Sequence, residues 1–283
     1  MSLKSVFDTF RTAYLWCTLD VSSENHVFVC GAPRSGTTLL KAALESHTQL
    51  CGPTYEATCI FSTPDVYQEQ WWGRTGLSTG EVKEILGEEN NIIRFYDCLA
   101  EEVCRQNNAV RFVDKMPWPP NRYSLRYVTS KFEQAQWIHI VRDGRDCYCS
   151  AQDHPHVPQS ETATSFAKYW QTCVLDNEKA IPSAQKHTVR YEDLTRRPSA
   201  TTSSIMEAVG LDFEQGQVDP SSRSDYGEGA EGAHRRLQEP ISAQSVGRWK
   251  DEMEHEEAVC FARQARGGLQ RFGYEVDPHR KKT

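Results

Sequence analysis

No stretch of the 283 residues is apolar for the roughly 20 positions that a bilayer crossing needs, so a helical membrane span is excluded. The ten cysteines lack the paired spacing of a zinc ribbon or a small disulfide scaffold. Cys147 and Cys149 stand one residue apart, and most of the others fall within apolar strand-like or helix-like segments. Reduced, mainly buried thiols and no metal are the expectation. Positive charge is also short: 32 Lys and Arg against 39 Asp and Glu give a formal net charge of -7. That argues against general nucleic-acid binding, which needs clustered cations, and predicts that the basic residues gather at one site. The opening Met1-Ser-Leu-Lys-Ser-Val-Phe7 lacks an apolar segment ending in small residues. The cytoplasm is therefore the expected compartment, with an upstream targeting or anchor segment outside this sequence as the open alternative. Internal repeats are missing too.

Against these absences stand 38% hydrophobic residues and seven tryptophans, enough for a substantial core in a single domain spanning 1–283. Short apolar runs at 26–30, 110–114, 136–141 and 187–191 alternate with helical periodicity. The helical stretches are 37–46, 81–106 (interrupted near Gly87), 122–131, 145–152, 162–180, 198–209 and 250–265. This alternation predicts an α/β fold, a central parallel sheet flanked by helices. Residues 213–240, rich in Gly, Ser, Asp and Glu, predict a long loop, either a functional lid or a plain surface excursion.

The most specific stretch begins with His26-Val-Phe-Val-Cys-Gly31, breaks into Ala32-Pro-Arg-Ser-Gly-Thr-Thr38 and continues as Leu39-Leu-Lys-Ala-Ala-Leu-Glu-Ser46. It reads as strand, phosphate loop and helix. Gly31 and Gly36 have the spacing of Gly-x-x-x-x-Gly-Lys-Ser/Thr, but Thr37 stands where that motif has its lysine. The missing lysine is the group that reaches the terminal phosphates of a nucleoside triphosphate. Backbone N–H groups at a helix start still favour an anion. Arg34 adds a cation from within the loop, and Ser35, Thr37 and Thr38 add hydroxyls around Gly36. An ordinary glycine turn explains the two glycines but not six consecutive residues of anion-binding type between a strand and an amphipathic helix.

A second constellation is Trp137-Ile-His-Ile-Val-Arg-Asp-Gly-Arg-Asp146 followed by Cys-Tyr-Cys-Ser150. A buried strand ends in Arg142, and the helix after it carries Ser150. A guanidinium fork with a hydroxyl suits a dianionic phosphate. The same residues would also make a salt bridge between Arg142 or Arg145 and Asp143 or Asp146.

Pro33 to Leu39, Pro-Arg-Ser-Gly-Thr-Thr-Leu, resembles the 5′-phosphosulfate loop of sulfotransferases that use 3′-phosphoadenosine 5′-phosphosulfate, in the form seen in tyrosylprotein and many bacterial members. The cytosolic steroid and phenol enzymes carry lysine where this chain has Arg34. In that family a strand-end arginine and a serine eight residues later bind the 3′-phosphate, roles the resemblance gives to Arg142 and Ser150. Arg190-Tyr-Glu-Asp-Leu194 is similar to a segment whose tyrosine packs at the adenine site, here Tyr191; its acidic residues suit helix capping equally well. Ser245-Val-Gly-Arg-Trp-Lys250 resembles the family's Gly-Arg-Trp segment, which would bring Arg248 toward the 3′-phosphate. The fold so implied is the P-loop sulfotransferase fold, like that of nucleoside triphosphate hydrolases.

On the acceptor side, Val113-Asp-Lys-Met-Pro117 resembles the Asp-Lys-x-Pro turn of bacterial and protein-directed members, making Lys115 an electrophilic aid. Cytosolic members place a histidine base two residues after a comparable lysine, where this chain has Pro117. Tyrosylprotein and carbohydrate members instead use a glutamate shortly after the phosphate-loop helix. Glu56, in Cys51-Gly-Pro-Thr-Tyr-Glu-Ala57, takes that place, although its neighbours depart from the usual Gly-Glu-Glu-Thr. The resemblance implies sulfuryl transfer to a hydroxyl or amine without a metal, leaving adenosine 3′,5′-bisphosphate. Arg34 and Lys115 would stabilise developing charge and Glu56 would act as base. The acceptor stays open among protein tyrosine, carbohydrate and small metabolites, with Trp71, Trp72, Trp118 and Tyr123 as candidate cleft walls. Two rivals are a P-loop nucleotide kinase, with Asp114 or Asp143 as magnesium ligand, and a non-catalytic nucleotide-binding sensor or scaffold.

Overall fold

The computed structural model describes residues 19–61, 69–88, 91–116, 122–154, 157, 159–223 and 235–277. Five strands, β1 (Val27–Cys30), β2 (Leu50–Cys51), β3 (Arg111–Met116), β4 (Gln136–Val141) and β5 (Lys186–Arg190), form one sheet in the order β2-β3-β1-β4-β5. Every neighbouring pair is parallel. The helices that connect and flank them are α1 (Thr37–Glu45), α2 (Thr79–Glu88), α3 (Ile92–Asn107), α4 (Arg122–Lys131), α5 (Gly144–Gln152), α6 (Ala163–Ala180), α7 (Tyr191–Arg196), α8 (Pro198–Val209), α9 (Trp249–Glu252), α10 (His255–Gln264) and α11 (Arg266–Arg271). Among the described residues no helix is long and apolar enough to cross a membrane.

The central strand β1 is buried at every position, as a parallel strand covered on both faces must be. Alternation then sorts its side chains. Phe28 and Cys30 join Phe112, Trp137, Tyr96, Phe61 and Phe132 on one face, where the rings of Phe28 and Trp137 stack at 4.5 Å. Val27 and Val29 join Val113, Ile138, Ile140 and Val189 on the other face, under Leu40 and Leu44 of α1 and Ile205 and Met206 of α8. Each such apolar side chain contributes about 1.5–3 kcal/mol on burial. A third cluster joins α5, α6, α10 and α11 through Tyr148, Phe166, Trp170, Phe261 and Leu269. The sheet order reverses at β1, which lies between β3 and β4. In open α/β sheets the crevice at the carboxyl ends of the strands beside such a reversal is where ligands bind.

The structure redraws several predicted elements. β3 continues past Asp114 to Met116, and β5 stops at Arg190, so Tyr191 opens α7 instead of closing a strand. β2 was not predicted, since two residues carry no periodicity. The long helix 81–106 divides because Asn91 caps α3, accepting from the Arg94 N–H at 2.8 Å. The helix predicted at 250–265 divides at Met253, where Glu254 and Glu257 form a capping box that starts α10. The 213–240 stretch is not a free loop along its described part. Gln215–Val218 and Pro220–Ser222 form 3₁₀ turns. Glu214 accepts from Thr48 N and Oγ1 at 2.8 and 2.6 Å, and His47 Nε2 donates to the Asp212 carbonyl at 3.0 Å, fastening this segment just beyond α1. Residues 224–234, where the lid expectation also falls, lie outside the described residues.

Candidate active site

The loop after β1 bends back on itself because two of its residues take left-handed backbone, Arg34 at φ 67° and Gly36 at φ 98°. Gly36 is required twice over. Its φ disfavours an L side chain, and a β-carbon there would lie 2.6 Å from Cδ2 of Tyr191. At Gly31 a β-carbon would meet the Ile140 carbonyl at 2.5 Å, so only glycine lets the loop start this close to β4. The helix that follows has no side chain capping its start and no acid in its first turn. Its first N–H groups and its dipole thus face the loop's hollow with no carboxylate of the helix's own first turn to answer them.

Around that hollow opens a cleft lined by Arg34, Gly36, Thr37, Thr38, Leu39, Arg142, Ser150, Tyr191, Leu237 and Ser245. Arg34 Nε donates to Ser150 Oγ at 3.2 Å, and Arg142 Nη1 donates to the Arg34 carbonyl at 3.1 Å. Arg142 also donates through Nη2 to the Ser245 carbonyl at 2.7 Å, and its guanidinium sits 4.5 Å from the Tyr191 ring. Burial, then the neighbouring Arg142, lowers the pKa of Arg34. An arginine keeps its charge regardless, so two confined cations share one cleft. Among the described residues, the lining contains no acidic one.

The second constellation separates into two jobs. Arg142 and Ser150 face the cleft, whereas Arg145 pairs with Asp143 through Nε at 2.9 Å and Nη2 at 2.7 Å, with its guanidinium 3.8 Å from the Trp249 ring. Asp146 accepts from the N–H groups of Gly247 at 2.7 Å and Trp249 at 3.1 Å, drawing the chain end against α5. The salt bridge anticipated as the alternative therefore exists, between Arg145 and Asp143, immediately after Arg142. Ser35 is fully buried and its hydroxyl has no hydrogen-bond partner among the described residues; it is not part of the lining. Arg248 is not part of the lining either. It is held by Glu252 at 2.7 Å and lies 3.7 Å from Asp153.

Beyond Thr38 the cleft meets the acceptor-side candidates. Lys115 Nζ donates to Thr38 Oγ1 at 3.2 Å and pairs with Glu56 Oε2 at 3.1 Å, while Glu56 Oε1 accepts from Arg74. The neighbouring Asp114 points to the opposite face of β3. There it accepts from the N–H groups of Ala57 at 3.0 Å and Thr58 at 2.8 Å and from the Tyr96 hydroxyl at 2.9 Å. Burial pushes its carboxyl up to about 7. Thr58 Oγ1 donates to the Lys115 carbonyl at 2.5 Å, so strand β3 grips the Glu56 segment from both sides. Trp72 proves to be core, packed with Leu77 and Val82. Trp118 and the side chains of Trp71 and Tyr123 lie outside the described residues. Asp114 and Asp143, the magnesium ligands of the kinase alternative, are committed to these donors and to Arg145.

The sequence profile of the sulfotransferase family matches residues 26–215, from the start of the sheet to the turn beyond α8. The chain belongs to the sulfotransferase family. It is 26% identical over 203 residues to protein-tyrosine sulfotransferase 2 of Gallus gallus, a match covering 66% of this chain and 51% of that protein; the chain thus spans about half the length of that relative. The sulfotransferase domain of the Synechococcus PCC 7002 olefin synthase has the same fold, with a TM-score of 0.67 and 21% identity over 93% of this chain and 99% of that one. Mouse sulfotransferase SULT7A1 complexed with PAP follows at a TM-score of 0.54 and 17% identity over 93% and 91% of the two chains. Within this sulfotransferase-family fold, the motifs did not announce Leu237, the Ser245 carbonyl, Arg74 or the grip of Asp114. Only Ser245 had a local signal, its place beside Gly247-Arg-Trp249.

Proposed function

We propose that this chain is a sulfotransferase that moves a sulfuryl group from 3′-phosphoadenosine 5′-phosphosulfate to a hydroxyl or amine acceptor. The observation that carries the reading is the cleft's charge: two guanidinium groups, five hydroxyl-bearing side chains and an uncapped helix start converge, with no acid among the described lining residues. The donor fits that chemistry. Arg142 Nε is buried without a hydrogen-bond partner among the described residues, and a phosphate would satisfy it. The PAP named for the mouse sulfotransferase supports the same nucleotide.

When bound, the donor supplies a sulfuryl group already activated by its phosphate leaving group. Arg142 and Ser150 would hold the 3′-phosphate, with the Tyr191 ring beside the adenine. Arg34, Thr37 and Thr38, with the first N–H groups of α1, would hold the sulfate end. Lys115, which donates to Thr38, would stabilise the charge that develops on the bridging oxygen. Glu56 would accept the acceptor's proton, exchanging part of its ion pairing with Lys115 and Arg74 for that hydroxyl. Protein tyrosine, carbohydrate and small-metabolite acceptors follow from this chemistry, and the protein-tyrosine relative puts tyrosine first for testing. Calorimetry should show preference for adenosine 3′,5′-bisphosphate over AMP and ATP. Labelled donor with a mixed acceptor extract should yield a sulfated product identifiable by mass spectrometry. Equal affinity for AMP would overturn the nucleotide assignment, and binding without any labelled product would leave a sensor or scaffold.

A further inference from the structure

The fold brings together two cysteines that lie 53 positions apart in the chain. Cys51 closes the edge strand β2 and is buried; Cys104 sits on α3, half-buried, and lines an open surface cleft with Arg105 and Phe112. The Cys51 thiol donates to the Cys104 sulfur at 3.2 Å. A disulfide has its sulfurs about 2.05 Å apart, so an approach of roughly 1 Å would join them, within reach of a small turn of the Cys104 side chain. Nothing in the donor cleft or at Glu56 uses either thiol.

The geometry points to Cys51 and Cys104 as a redox-active dithiol that closes to a disulfide, with a hydroperoxide as the oxidant. Cys104 is the attacking sulfur. It faces the open cleft, and the hydrogen bond from Cys51 favours its thiolate, holding its pKa below the ordinary thiol value. Cys51 is held above that value by its hydrogen bond to Cys104 and by burial, which suits a thiol that waits to resolve the first step. Attack of the Cys104 thiolate breaks the O–O bond of the peroxide, leaving a sulfenic acid and releasing water or alcohol after protonation. Cys51 sulfur then displaces hydroxide from that sulfenic acid, forming the S–S bond; its own proton leaves with the hydroxide as a second water. Two thiols are oxidised by two electrons, and one peroxide is reduced. The bond would strap the two-residue strand β2 to α3, immediately before the Gly52-Pro53 turn that leads to Glu56.

The test is intact-mass and peptide mapping of the full chain after graded hydrogen peroxide and thiol alkylation, with thermal unfolding in parallel. The expected result is a Cys51–Cys104 linked peptide and a loss of about 2 Da before other cysteines are modified. The unfolding midpoint should rise by roughly 5–10 °C, reversed by dithiothreitol, as cross-linking a long span predicts. Cys51→Ser should leave a sulfenic acid on Cys104 that dimedone traps, and Cys104→Ser should abolish the link; Cys98→Ser, a change in the same cleft, should leave it intact. Both thiols staying free for alkylation while other cysteines oxidise, or Cys104 linking to a different cysteine in the wild-type protein, would overturn the assignment.

Discussion

The two edges of the cleft are built differently. On the donor edge, Arg142 and Tyr191 directly follow strand ends, Arg34 sits in the loop after β1 and Ser150 on α5, and the guanidinium groups are tied to backbone carbonyls and to a serine hydroxyl. On the acceptor edge, Glu56 and Arg74 sit on 3₁₀ and irregular segments and are oriented by side-chain ion pairs and by Asp114 underneath. A group held by backbone at a strand end has its position set by the sheet. A group held by ion pairs can change partners at little cost, as a proton-accepting carboxylate must. The difference therefore supports the proposed division between an edge that binds the donor and an edge that reacts.

The sharpest way to test that separation is Glu56→Gln, which keeps shape and removes the proposed proton acceptor. Turnover should fall by roughly 10²–10⁴-fold, with calorimetric affinity for adenosine 3′,5′-bisphosphate unchanged; a matching loss of affinity would merge the two edges. Arg142→Ala should do the reverse, costing about 1.5–3 kcal/mol of bisphosphate affinity and most of the preference over AMP.

A third test concerns the support below the acceptor edge. Asp114 titrates near 7 in the folded protein against an ordinary 3.8. The native state therefore binds the extra proton across that window, and stability falls as pH climbs from about 4 to about 7, then levels off. Asp114→Asn has no proton to lose. Urea unfolding across this range should show a fall on the order of 3–4 kcal/mol in wild type that the variant lacks. Parallel curves would mean the carboxyl is already ionised at pH 4. The smallest effect is expected at Arg248→Ala. Its guanidinium is already engaged by Glu252 and Asp153, so bisphosphate affinity should change by less than about threefold, well short of Arg142→Ala. A loss equal to that of Arg142→Ala would bring Arg248 into the phosphate grip.

The same contrast explains what could be read without coordinates. β1 and β4 were legible because strands covered on both faces are unbroken apolar runs, and the donor residues were legible because they follow those runs within one short motif each. Glu56 and Lys115 were placed through resemblance to the family. Their mutual ion pair, the partnership of Glu56 with Arg74 and the grip of Asp114 on Ala57 and Thr58 join residues 18 to 59 positions apart, and no local pattern encodes such meetings. The Cys51–Cys104 contact escaped for the same reason. The segment after Phe213 read as loose from its composition. Its polar side chains instead serve as fasteners, with Glu214 on Thr48 and the buried Arg223 donating to the Leu237 and Glu239 carbonyls.

Strand β3 carries Asp114 and Lys115 side by side, one facing Tyr96 and the other facing Thr38. A single-residue insertion within Arg111–Met116 would exchange them between faces. The ammonium would then be driven in among aromatic rings, and a carboxylate would be turned toward a pocket built for anions. Length variation among kindred chains should accordingly spare these six positions and accumulate in the segments on either side, so the spacing from Arg111 to Lys115 serves as a reading-frame mark for finding this pair in a divergent sequence.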